Sequence, residues 1–161
     1  MRALALALLL GSAACGFQLR GTASLPFETI YVPDATSGIA LDLKRNIRSG
    51  TNARVLDQAK GAEAQLQFSE ESRQKEILSI TAAGRVSEYR LIYRVRFRVS
   101  DGKGIDFLPP STVTLTRDMT FEDSQVLAKE GEEQLLFRDM QTDMVQQVLR
   151  RIATAKPVVK S

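Results

Sequence analysis

Histidine and tryptophan are absent from this 161-residue chain, and cysteine occurs once, at position 15. With no imidazole, the commonest general base and the commonest metal ligand are missing. Catalysis would have to rest on carboxylates, Ser/Thr or Lys. The chain carries no Gly-x-Ser-x-Gly elbow, phosphate-binding Gly-rich loop, EF-hand loop or His-Glu-x-x-His helix. Adjacent acids such as Glu70-Glu71 and Glu132-Glu133 read as solvated surface rather than acid/base dyads. These absences argue against an enzyme and against any metal or diffusible cofactor. A long hydrophobic run is lacking too: Ala3 to Leu10 is eight apolar residues, against the roughly 18 needed to span a bilayer.

That short run does have a reading. Arg2, the Ala/Leu core and the small residues Gly11, Ser12, Ala13 and Ala14 form a secretory leader over 1–14, ending directly before Cys15. A thiol in that position is a lipidation site, expected to carry an S-diacylglycerol and, on the freed amine, an N-acyl chain such as palmitate. Stable anchoring needs at least two such signals. The alternative is plain cleavage between Ala14 and Cys15, which leaves a soluble periplasmic protein, and Ser12 stands where a sharper lipidation box has Leu. An exposed unpaired thiol in an oxidising compartment favours lipidation. Gly16, not Asp, comes after the cysteine, which points to the outer membrane. Removing Arg2 leaves 21 basic residues (22 − 1) against 19 acids, a mature net charge of +2. So small a bulk charge names no partner.

From Cys15 onward the chain divides into a lipidated tether over 15–26, a domain over 27–152 and a tail over 153–161 without periodicity, expected to be mobile. Phe27 to Val32 is a short strand between Pro26 and Pro33. Ile39, Leu43 and Ile47 recur every four residues and predict a helix over 37–48, with Gly50 as its left-handed stop. Arg54 to Leu56 is a brief extended piece, and a longer strand starts at Gly61 to Ala64. The clearest signal lies between Glu88 and Ser100: Tyr89, Leu91, Tyr93, Val95, Phe97 and Val99 alternate with Arg90, Ile92, Arg94, Arg96 and Arg98. One face of that strand is core and the other is cationic. Ser111 to Thr120 repeats the scheme, with Val113, Leu115 and Met119 opposite Thr112, Thr114, Thr116, Asp118 and Thr120. Gln65 to Ser79 alternates more roughly. Turns at Ala83-Gly84 and Asp101 to Gly104 join these strands as antiparallel neighbours. A last helix is expected from Asp123 to Ile152, with early acids and late Arg150 and Arg151 complementing its dipole, and Gly131 allows a break.

Two helices with apolar stripes and one sheet with a single apolar face pack most economically with both helices on the same side. The expected fold is therefore α+β: a two-layer α/β sandwich with an about four-stranded, mostly antiparallel sheet. Its free face is polar and rich in Arg and Thr.

Three stretches carry a family resemblance: Cys15 to Gly21 at the mature start, Ser87-Glu88-Tyr89-Arg90 entering the long strand, and Leu127-Ala128-Lys129-Glu130 with Glu132-Glu133 and Arg138-Asp139-Met140 on the last helix. In this order, behind a lipidation signal, the chain resembles the LPS-assembly lipoproteins, the small plug subunit of the outer-membrane lipopolysaccharide translocon of Gram-negative bacteria. The resemblance covers most of 15–152. It implies a lipid-anchored outer-membrane protein, seated inside the lumen of a large β-barrel subunit as a 1:1 heterodimer on the periplasmic side. There it would plug and help assemble that barrel and take part in lipopolysaccharide delivery to the outer leaflet. Large barrels have wet, polar interiors, so a plug needs a polar outer surface.

Lipopolysaccharide carries phosphates and acidic sugars, which arginine grips bidentately. By the family's Leu-Ala-Lys-Glu segment, Lys129 is the first candidate contact. The residues alone add Arg85, Arg90, Arg94, Arg96 and Arg117, each with a salt bridge to the barrel wall or a neighbouring strand as the alternative. Some relatives have a basic residue near the turn before the long strand, where this chain has Ala82 and Ala83, then Arg85. Two other classes of function compete, and only the first stays open. One is a free-standing periplasmic lipoprotein that binds an anionic ligand or the cell wall. The other, a nucleic-acid-binding sheet, would need aromatic and basic side chains on one exposed face, whereas alternation puts Tyr89, Tyr93 and Phe97 opposite Arg90, Arg94 and Arg98. No nucleic-acid partner is expected.

Overall fold

The structure is a computed structural model and describes residues 24–156. The leader 1–14, Cys15, most of the tether and residues 157–161 lie outside the described residues. In chain order the elements are β1 (Thr29–Tyr31), α1 (Gly38–Gly50), β2 (Arg54–Leu56), β3 (Ala64–Ile80), β4 (Val86–Ser100), β5 (Asp106–Thr120), a 3-10 turn (Asp123–Gln125) and α2 (Val126–Ala153). They form one sheet of order β2-β1-β3-β4-β5. The short strands β2 and β1 run parallel to each other, and β1 runs parallel to β3. The long strands β3, β4 and β5 are antiparallel. The sheet thus has five strands, not four. Arg54–Leu56 is too short to declare itself as a strand, but α1 returns the chain beside β1 and makes it the edge.

Both helices cover one face of the sheet. From α1, Ile39, Leu43 and Ile47 are fully buried, and from α2 so are Met140, Met144, Val148 and Ile152. Beneath them lie Leu91, Tyr93, Val95, Phe97 and Val99 of β4, the apolar half of its alternation. Each such side chain withdrawn from water contributes about 1.5–3 kcal/mol. The helices run side by side in the same direction: Gln141 of α2 donates to Asp42 of α1, and Gln146 donates to Asn46 one turn later. Arg90, Ile92, Arg94, Arg96 and Arg98 share the opposite face with Thr112, Thr114, Thr116 and Asp118, their partners or near partners on β5.

Several local expectations shift. Gly50 does not adopt the left-handed conformation and belongs to α1. The helix is closed instead by Thr51, whose hydroxyl donates to the Ile47 carbonyl at 2.9 Å. Gly131 does not break α2, which is continuous across it. That position faces solvent with nothing within 4 Å of a Cβ, so no packing forces a kink. Strand β5 begins five residues earlier than its alternation shows, because Pro109-Pro110 occupy an irregularity in pairing between Phe97 and Val99, on an edge strand where proline is tolerated. Leu25, read as tether, is buried in the core, and Ala155, read as tail, is also buried.

The long strands give the molecule two ends. At one, the tip, β3 turns into β4 through Thr81 to Arg85, with Gly84 at φ 76° and Thr81 and Arg85 hydrogen-bonded across the turn. The first residues of α2 lie here. At the other end, the base, β4 turns into β5 over 101–105, both helices finish, and the chain enters the domain. Asn52 fixes that entry by accepting from the Leu25 amide at 2.7 Å and donating to its carbonyl at 3.3 Å.

Candidate functional site

The tip is built by the β3–β4 turn and the segment from Thr120 into α2. Between them lies an open cleft of about 720 Å³, lined by Ser79, Arg85, Ser87, Glu88, Thr120 and Phe121, among others. Its lining mixes serine and threonine hydroxyls with the acids Glu88, Glu122 and Asp123: the Ser79 and Ser87 oxygens are 2.6 Å apart, and Ser79 also donates to Glu88 at 3.0 Å. Tyr89 and Phe121 pack edge to face at 5.1 Å and brace the crossing into α2. Lys129, whose side chain is only 14% exposed, donates to the Thr120 hydroxyl at 3.0 Å and to Glu132 at 2.8 Å. It therefore stands beside the same threonine that lines the cleft with Arg85. The guanidinium of Arg85 is exposed and makes no ion pair among the described residues.

The other four candidate arginines separate into different environments. Arg90 forms a two-bond pair with Asp118 on β5, at 2.8 and 2.9 Å. That bonding holds the Asp118 carboxyl below its ordinary 3.8 and the Arg90 guanidinium above its own value. Arg94 lies 4.0 Å from Glu70. Arg96, further toward the base, has no ion pair among the described residues and borders a shallow groove with Gln67, Phe97, Arg98 and Pro110. Arg117 is not on this face. It pairs across from Leu91, points to the helix side and donates to Asp143 of α2 at 2.8 Å. The structure thus brings Arg85 and Lys129 to the tip and Arg90, Arg94 and Arg96 to the outer sheet face, and ties Arg117 into the packing of α2. Its odd position, in step with Val113, Leu115 and Met119, is a signal in the sequence that places it there.

A further polar set lies on the helix side, where sequence reasoning looked for core. A bulge between Phe68 and Glu70 shifts the alternation of β3 by one, so Glu71, Arg73 and Lys75 share the face of Tyr93 and Leu91. Glu71 accepts from the Tyr93 hydroxyl at 2.6 Å and from the Ile39 amide, at the N-terminus of α1, at 3.3 Å. Burial, then the Glu71 carboxylate, pushes the Tyr93 hydroxyl far above its usual range. Arg73 donates to Gln141 and stacks between Tyr93 and Phe137, 5.1 and 5.7 Å from the ring centres. Lys75 donates to Glu133 at 2.6 Å, which holds its ammonium above the ordinary 10.5. This belt ties the upper hairpin to both helices. The roughness of alternation in Gln65 to Ser79 was its signal.

Nothing among the described residues resembles a catalytic constellation. Among the described residues no group of carboxylates could hold a metal ion, and no helix is long and apolar enough to cross a membrane. What the surface offers is hydroxyls, amides and paired or free cations arranged for hydrogen bonding.

Comparison with known proteins agrees with this architecture. Residues 27–152 match the family model LptE, described as lipopolysaccharide-assembly. The LPS-assembly lipoprotein LptE of Photorhabdus laumondii is 27% identical over 164 aligned positions, covering 96% of this chain and 88% of that protein. The protein of the same name from Yersinia pestis is 30% identical, with 96% and 78% covered. Among solved structures, lipoprotein B from Nitrosomonas europaea superimposes with a TM-score of 0.74 at 41% identity, covering 86% of this chain and 90% of that one. Rare lipoprotein B from Shewanella oneidensis does so with a TM-score of 0.66 at 26% identity, covering 79% and 92%.

Proposed function

Because the chain belongs to the LptE lipopolysaccharide-assembly family, a family of lipoproteins rather than enzymes, we propose that it works in lipopolysaccharide assembly as a plug and folding partner of the translocon's β-barrel. The matched span, 27–152, is nearly the whole described domain, and this single observation carries the reading. The sheet supports it physically. A domain enclosed by a barrel needs its hydrophobic core closed on itself and its outer face able to hydrogen-bond to a wet wall, and the face of Arg94, Arg96 and the β5 threonines has that character. The protein is held at the outer membrane by lipid on Cys15, with the domain on the periplasmic side of the lumen.

Within that role the tip is the glycolipid contact. Arg85 is a cation without an ion pair among the described residues, and Lys129 exchanges its bond to the half-exposed carboxylate of Glu132 for a phosphate without leaving its place beside Thr120. Arg94 and Arg96 meet phosphate or barrel wall along the outer face, while Arg90 and Arg117, already paired to Asp118 and Asp143, position rather than bind. Converting Arg85 and Lys129 to Glu should weaken binding of purified lipopolysaccharide by tenfold or more, since hydrogen bonds to charged groups contribute about 1.5–3 kcal/mol each, and should leave the far-UV circular dichroism unchanged. Unchanged affinity would remove the tip from the glycolipid path. The plug role is tested separately: mild detergent extraction should co-isolate a barrel of about 25 strands, and depletion should halt both barrel maturation and surface lipopolysaccharide. A chain that isolates alone from its native membrane would instead act as a free-standing lipoprotein.

A further inference from the structure

Charge is distributed very unevenly between the two ends. The base carries Arg54, Lys60, Lys103, Arg150, Arg151 and Lys156, all exposed and none in an ion pair among the described residues. Topology gathers them there: Arg54 opens β2 beside the start of β1, Lys103 sits in the β4–β5 turn, and Arg150, Arg151 and Lys156 lie in or just beyond the last turn of α2. Lys60 adjoins the β4–β5 turn through Gln65, which donates to the Ala59 carbonyl at 3.2 Å and fills the space beside Gly102.

Four acids share the base, Glu28, Glu63, Asp101 and Asp106, and two of them are turned onto backbone. Glu63 accepts the Glu28 amide at 2.8 Å, and Asp101 accepts the amides of Lys103 and Ile105 at 2.8 and 2.9 Å. Ile105, 42% exposed, projects from the same turn as Lys103. At the tip the balance is reversed. Lys75, Arg85, Arg90, Arg117 and Lys129 face Glu122, Asp123, Glu130, Glu132 and Glu133 around the start of α2, with Glu76, Glu88 and Asp118 on the strands.

The ends act separately in solution. The 17 residues of β3 extend up to roughly 55 Å at about 3.3 Å per residue, while the screening length at 0.1 M salt is about 10 Å. A small net charge therefore says little about what either end attracts.

The base is also where the chain enters. Asn52 clamps Leu25 there, and Ser24 is nine positions from Cys15 (24 − 15), a span of at most about 30 Å. We propose that, in the chain not yet enclosed by a barrel, the base is a membrane-facing surface that binds the anionic headgroups of a phospholipid bilayer and so orients the domain, base against the membrane and acidic tip away from it. A basic side chain at an anionic surface contributes about 1 kcal/mol, and a basic patch is an effective second signal beside a lipid anchor. The base also keeps the two helix C-termini, with their partial negative charge, behind Arg150 and Arg151. The inference needs the chain to reach a bilayer and does not depend on the barrel.

The test uses the mature chain as isolated from cells, carrying Thr154→Cys at the base or Ala83→Cys at the tip, each labelled with a fluorophore. The parent chain, labelled in parallel, is the blank for Cys15. On vesicles of phosphatidylcholine with phosphatidylglycerol and a headgroup quencher, the probe at the base should be quenched and the probe at the tip spared. The contrast should vanish on phosphatidylcholine alone and near 1 M salt, where screening falls to about 3 Å. Changing Lys60, Lys103 and Lys156 to Gln should lower the base-inward population by roughly a hundredfold, about fivefold for each cation. Equal quenching of both probes, or a contrast that survives salt and the triple change, overturns the proposal. Loss of barrel co-isolation with the contrast intact would count against the plug reading alone.

Discussion

At the scale of single residues, Glu71 and Tyr93 show how a polar pair holds an otherwise oily layer. Tyr93 is completely buried, and its hydroxyl has Glu71 as its bond partner. Gly38, at φ 78°, opens the space: a Cβ there would meet the Glu71 carboxylate at 3.0 Å, and the left-handed conformation disfavours any other residue by about 1–2 kcal/mol. Removing the acceptor strands a buried hydroxyl, whereas removing the hydroxyl leaves a carboxylate that water reaches. Glu71→Ala should therefore destabilise the domain by about 1–3 kcal/mol, Tyr93→Phe by less, and the pair together by less than their sum. Urea unfolding of the four proteins checks this, and strict additivity would mean the contact contributes nothing of its own.

Among the elements, α2 is the least expected in its detail. A 28-residue helix with glycine in its first third is anticipated to bend or break, yet it runs straight through. Its apolar contacts with the core begin at Leu136, and Lys129, Glu133 and Gln141 add polar bonds to the sheet, whereas Gly131 itself has nothing within 4 Å of a Cβ and only solvent to answer to. Gly131→Ala should accordingly stabilise the isolated protein by about 0.5–1 kcal/mol, read as a higher urea midpoint with unchanged slope. A lower midpoint would show that the position is packed against something. The hairpin of β3 and β4 obeys the same logic in reverse: the bulge after Phe68 breaks a pattern that sequence alone reads as weak, and the result is a belt of fixed polar contacts rather than a poor strand.

For the whole molecule, the missing histidines set how stability responds to pH. Histidine is the side chain whose ordinary value lies between about pH 5 and 8, and the chain has none. Asp118, bonded by Arg90, and Asp101, bonded by the Lys103 and Ile105 amides, have carboxyls held below their ordinary 3.8. A folded-state value below the unfolded one means that this stabilisation is complete above about pH 4 and is lost as pH falls through the folded value. Lys75 has the opposite sign: its raised value supports the fold below about pH 10 and is lost as pH rises beyond its folded value. Melting temperature should be level from about pH 5 to 9 and decline outside it on both sides. A step near pH 6.5 would contradict this account. Because the exposed pairs are solvent-screened, the decline should be shallow.

How much of this was legible beforehand depends on the range over which each property is set. Period-two alternation in Glu88 to Ser100 and the four-residue spacing of Ile39, Leu43 and Ile47 are local, so the chain alone determined the strands, the helices, the two-layer sandwich with one wet face, and the poverty of catalytic groups. The family resemblance rested on short motifs of the same kind. The third dimension decided what no window of residues contains: that Arg54–Leu56 becomes a fifth strand by returning beside β1, that Arg117 meets Asp143 of α2, and that cations distant in sequence collect at one end and acids at the other. Periodicity says which way a side chain faces, but only strand order and helix direction say which end of the molecule it reaches.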